Sequence, residues 1–91
     1  MTTMIEVAQW MADELERFSS LDQSTAAAGI EMNFGEGFTY INRNSNRAIK
    51  REVLVEFDRL THDTVVWLRR SRRWRKREDR DTPGREQRGL D

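Results

Sequence analysis

Apolar residues return every three or four positions over the first part of the chain. Ile5, Ala8, Ala12 and Leu15 form a stripe, with Met4, Met11 and Phe18 beside it. Glu6, Asp13, Glu14 and Glu16 lie off that stripe. Thr3 followed by Glu6 has the capping-box spacing, in which each side chain satisfies a backbone N–H the helix leaves free. Ser19-Ser20 ends the pattern, so the spacing predicts a helix over about 4–18. A shorter helix follows, with Asp22 or Ser24 as its cap. Ala26, Ala27, Ile30 and Phe34 form its apolar side, and the glycines at 35 and 37 stop it.

Positions 38–41, Phe-Thr-Tyr-Ile, read as a strand because aromatic and β-branched residues follow Gly-Glu-Gly directly. Positions 42–46 hold three Asn and one Ser, a composition suited to a turn closed by side-chain-to-backbone bonds. A third helix is marked by Ile49, Val53, Phe57 and Leu60, with Ser45 or Asn46 as N-cap. Its first turns then carry Arg47, Lys50 and Arg51. Cations there oppose the helix dipole, yet an incoming anion would meet both dipole and side chains.

Positions 64–68, Thr-Val-Val-Trp-Leu, read as a further strand. A hairpin centred near Arg70 and Ser71 places Trp67 opposite Trp74, an aromatic cross-strand pair. It is preferred over the alternative, a helix continuing through 69–80, although no Asn-Gly or Gly-Gly marks the turn. The fold class expected is α+β, with three helices and a small antiparallel sheet of two or three strands. The expected core is Ile5, Val7, Ala8, Met11, Leu15, Phe18, Ile30, Phe34, Phe38, Tyr40, Ile49, Val53, Phe57, Leu60, Val65 and Trp67. One domain is expected over 1–77. Residues 78–91 are charged, carry the only proline and offer almost nothing to bury, so a disordered tail is expected there.

Composition changes this picture in three ways. There is no cysteine, which excludes disulfides and thiolate metal sites. No apolar run approaches the roughly 20 residues of a membrane span, and the acidic start lacks the basic flank of a signal peptide. A cytoplasmic protein without a membrane role is expected. Net charge is zero, but residues 1–42 hold seven acids and one base, whereas residues 43–91 hold fifteen bases and nine acids. The halves are −6 and +6. RRSRRWRKR, positions 69–77, has seven cations in nine residues.

That run is the main candidate site. Arg69, Arg70, Arg72, Arg73, Arg75, Lys76 and Arg77 would create a positive ribbon, and phosphate contacts would release counterions. Arg dominates, and its planar fork suits phosphate. Trp74 would stack on a base. Arg43, Arg47, Lys50 and Arg51 form a second group, beside Asn42, Asn44 and Asn46 as candidates for base edges. The rival reading pairs these cations with the acidic first helix, in the same molecule or in a second copy.

Catalysis finds little support. His62 is the only histidine, beside Asp63, and sequence neighbours rarely meet as a base and its orienter. No nucleophile elbow, phosphate-binding glycine loop or HExxH is present. No cofactor and no metal is expected.

In order, the elements are helix, helix, strand, basic-tipped helix, strand and basic hairpin. This order, over about 4–77, resembles a winged-helix domain. The resemblance implies a third helix in the DNA major groove and a hairpin wing on the backbone. It departs from that family where about a dozen residues, with a strand, separate the second and third helices. FGEGFTYINRNSNRAI and VVW…WRKR are similar to an uncharacterised family of small bacterial proteins, a likeness that implies no function. The expected role is non-catalytic nucleic-acid binding, DNA favoured over RNA. The alternative is an acidic protein surface as partner, or a homodimer joining the two charged halves.

Overall fold

The computed structural model describes residues 1–87. Helix α1 spans Met4–Phe18. Thr3 Oγ1 accepts from the Glu6 N–H at 3.2 Å, while its hydroxyl faces the Glu6 carboxylate. Val7, Ala8, Met11 and Leu15 are its buried residues. Ser19 adopts a left-handed φ of 68° and donates its N–H to the Leu15 carbonyl at 2.7 Å. The turn delivers the chain into a strand the periodicity does not reveal, β1, Ser20–Asp22.

Helix α2, Gln23–Phe34, buries Ala26, Ala27 and Ile30. Asp22 occupies its N-cap position but makes no side-chain cap bond. Gly35, at φ 87°, ends the helix by donating to the Glu31 carbonyl. A single 3₁₀ turn, Glu36–Phe38, leads into strand β2, Thr39–Ile41. Asn42 Oδ1 accepts from the N–H groups of Asn44 and Asn46, the turn chemistry expected of this loop.

The next segment departs from expectation. Residues Arg47–Ile49 form strand β3, paired antiparallel with β2, and helix α3 begins only at Arg51. Ala48 and Ile49 are buried by strand pairing rather than on a helix face. Lys50, not Ser45 or Asn46, stands at the N-cap. Helix α3, Arg51–Thr61, buries Val53, Phe57 and Thr61 and packs along α1.

Strands β4, Val65–Leu68, and β5, Arg73–Lys76, form the expected hairpin with Trp67 opposite Trp74. Strand β6, Glu86–Gln87, runs parallel to β4, and the sheet order is β1-β5-β4-β6. The architecture is α+β, with three helices, this sheet and the separate β2–β3 pair.

The core differs at its margins. Ile5, Phe18 and Leu60 stand in the first or last turn of their helices and are exposed, and in β2 Thr39 is buried while Tyr40 turns out. Leu21, Val66, Leu68 and Trp74 are buried instead. Residues 78–87, part of the expected tail, fold back over the sheet, anchored by Asp81, whose side chain is fully covered. Positions 88–91 of that tail lie outside the described residues.

Candidate functional site

The loop of residues 69–72 joins β4 to β5. Its conformation is held at two points. The Arg72 N–H donates to the Leu68 carbonyl at 2.8 Å, and the Gln23 N–H donates to the Arg72 carbonyl at 3.0 Å. Arg72 takes a left-handed φ of 55° to allow this. The tip is thereby tied to the start of α2. Arg69, Arg70 and Arg72 are exposed, and no acid or carbonyl engages their guanidinium groups among the described residues.

The rest of the basic run is occupied. Arg73 Nε lies 3.1 Å from Asp22. Lys76 Nζ donates to Glu16 of α1 at 2.8 Å. Arg77 donates to the carbonyls of Thr82 and Gly84. Arg75 meets Asp81 with both ends of its fork, at 2.7 and 2.9 Å. These bonds, followed by the Glu78 N–H that Asp81 also accepts, hold the Asp81 carboxyl far below the usual carboxylate range. The same contact raises the Arg75 pKa.

Trp74 is not a stacking platform. It is 5 % exposed, edge-on to Phe57 at 5.1 Å and tilted against Trp67 at 4.8 Å. Strand alternation turns it inward while its arginine neighbours turn out.

The second group of cations is scattered. Arg43 lies in the β2–β3 loop and is exposed. Arg47, in β3, donates to Thr39 Oγ1 at 2.8 Å and pairs with Glu31. Lys50 and Arg51 alone stand at the start of α3. Arg47 nevertheless joins Arg72 and Arg73 around one open cleft of about 520 Å³, with Asp22, Glu31 and Asn42 on its walls. The structure thus unites members of two groups that are far apart in sequence. The Asn42 carbonyl oxygen is spent on its own loop.

His62 is exposed, with Asp58 at 3.8 Å and Asp63 at 3.9 Å. Two residues of the site carry no local sequence signal. Asp81 is one. Arg85 is the other, half-buried beneath α3, where burial above all lowers its pKa against the raising effect of Asp58. Charge complementarity with the basic run was the only trace of Asp81 in the sequence, and Arg85 left none. No helix among the described residues is long and apolar enough to cross a membrane.

This arrangement defines a small α+β domain bearing an arginine-tipped hairpin. The chain belongs to DUF6953, a family of unknown function, whose model matches residues 3–76. The match ends on the last residue of β5, before the segment that carries Asp81 and Arg85. No curated protein and no solved structure matches the chain.

Proposed function

We propose that this protein is a non-catalytic binding protein that takes a polyanion, nucleic acid with DNA favoured over RNA, on the tip of the β4–β5 hairpin. One observation carries the reading. Arg69, Arg70 and Arg72 stand exposed and unengaged on a loop pinned by two backbone hydrogen bonds, whereas their neighbours are held within the chain. A pinned loop spends less ordering entropy on binding than a free one. Arg43 adds a further free cation, and the exposed pairs of Arg73 and Lys76 are of the kind that contributes only about 0–1 kcal/mol. Phosphate can therefore exchange for those carboxylates.

The element order around the hairpin supports a winged-helix likeness, with the hairpin as wing. The outer face of α3 favours the wing over the helix as the contact. Glu52 and Glu56 follow Lys50 and Arg51 there and offset them.

The test is a salt series on a labelled DNA duplex. With four to six phosphate contacts, log K falls against log salt with a slope of about −4 to −5. Replacing Arg69, Arg70 and Arg72 together by Ala makes that slope shallower by about 2.5. A flat salt dependence, or a triple variant that binds like wild type, overturns the reading.

A second reading is a homodimer in which the tip of one copy meets α1 of another. Glu6 and Asp13 favour it, since both are exposed on α1 and neither meets a cation among the described residues. Light scattering at low salt decides. A monomer removes this version.

A further inference from the structure

The chain leaving β5 must cross β4 to reach β6 on the far edge. Alternation along the strands places Trp67 and Trp74 toward the helices and Arg73, Arg75, Val66 and Leu68 on the opposite face. Asp81 meets Arg75 on that opposite face, so the crossing lies there. Val66 and Leu68 are buried on it without joining the helix-side core. Beyond the crossing, the Trp67 N–H donates to the Arg85 carbonyl at 2.7 Å.

This strap is held by charge rather than by apolar burial. Apart from Pro83, residues 78–87 carry no apolar side chain. Their anchors are Asp81 on Arg75, the carbonyls of Thr82 and Gly84 on Arg77, and Arg85 on Asp58 and Thr61. Four acids against two bases make the segment net negative. The two-pronged grip of Arg75 on Asp81 is the same geometry by which arginine grips a phosphate.

We propose that the strap of residues 78–87 is a built-in competitor for the basic hairpin: Asp81 occupies Arg75 where a phosphate of the polyanion would sit, and strap docking and polyanion binding exclude each other. This inference rests on the polyanion reading above. Arg73 and Arg75 share one face directly below the tip, so a strand of phosphates leaving Arg72 meets Arg75 next. Release of the strap adds Arg75 and Arg77 to the contacts. Coupling of this kind is reciprocal, so whatever loosens the strap tightens binding, and the ligand loosens the strap.

The experiment uses the full chain and a labelled DNA duplex. Asp81→Asn removes the competing charge and keeps the side-chain shape. It is expected to bind about 5–10-fold tighter at a similar salt slope, because the strap has left Arg75 and Arg77 in both complexes. Asp79→Asn is the control, since Asp79 is exposed and meets no cation among the described residues. It removes the same charge and is expected to gain much less. In wild type, adding DNA is expected to accelerate hydrogen exchange at the Trp67 amide, whose acceptor leaves with the strap. This readout stands even if Asp81→Asn folds poorly.

If wild type binds DNA but Trp67 exchange stays unchanged, or the two variants gain equally, the strap inference is overturned and the polyanion reading stands. If neither wild type nor Asp81→Asn binds at low salt, both fall. Binding by Asp81→Asn alone supports both.

Discussion

Arg85 Nη1 donates to the carbonyl of Thr61 at 2.9 Å and so closes the end of a helix that finished 24 residues earlier. The same nitrogen reaches Thr61 Oγ1 at 3.0 Å and the Val65 carbonyl at 3.2 Å. The guanidinium lies 5.3 Å from the centre of the Phe57 ring. A helix C-terminus leaves carbonyls without partners and a partial negative charge. One half-buried cation answers both. Arg85→Ala is expected to destabilise the fold by about 1–3 kcal/mol, because the Val65 carbonyl loses this donor and the Thr61 carbonyl keeps only the Thr64 N–H. Arg85→Lys is expected to recover only part of it, since an ammonium lacks the planar fork. Urea unfolding followed by tryptophan fluorescence measures both. An alanine variant as stable as wild type would remove the clamp from the account.

Acid should release the strap from the Asp81 end. Folding lowers the pKa of this carboxyl, through Arg75 first and the Glu78 N–H second. A lowered pKa contributes stability that is complete above the unfolded value, about 3.9, and is lost as pH falls through the folded value. The stability gap between wild type and Asp81→Asn is therefore expected to be constant above about pH 5 and to narrow as pH falls toward 2. Melting temperatures across that range test it. A gap that does not narrow toward the acid end contradicts the assignment.

Gly29 and Trp10 are matched in size. A Cβ built on Gly29 would lie 2.5 Å from Cη2 of Trp10, whose ring meets Phe34 edge-on at 6.0 Å. Alanine there must push the indole off Phe34. Gly29→Ala is expected to cost about 1–2 kcal/mol by overpacking, outweighing the gain in helix propensity. In a Trp10→Phe background the clash is gone, and the same change is expected to stabilise by up to about 1 kcal/mol. A double-mutant cycle by chemical denaturation measures the sign change. Equal effects in both backgrounds would show that the ring does not fill this space.

The legible parts of the fold were those written in neighbouring residues. Helix α1 follows its periodicity from Met4 to Phe18, because both the cap and the stripe are local. Trp67 and Trp74 pair as the hairpin centre requires. Strand β1 was not legible. Ser-Leu-Asp has no alternation to read, and it becomes a strand because β5 offers it an edge. The start of α3 was misplaced by four residues for a related reason. Ile49 fits a helix stripe and a buried strand equally well, and only the presence of β2 decides between them. A tryptophan among arginines reads as exposed until the strand is seen to alternate.

The sequence by itself determined three helices, a hairpin, an acidic first half and a basic second half, since propensity, capping and composition act over a few residues. Only the tertiary structure decided which cations remain free. Glu16 takes Lys76 across 60 residues, Asp22 takes Arg73, and Asp81 takes Arg75, leaving Arg69, Arg70 and Arg72 at the tip. Ion pairing is set by distance in space, and no local pattern in a chain encodes which distant carboxylate a folded arginine will meet.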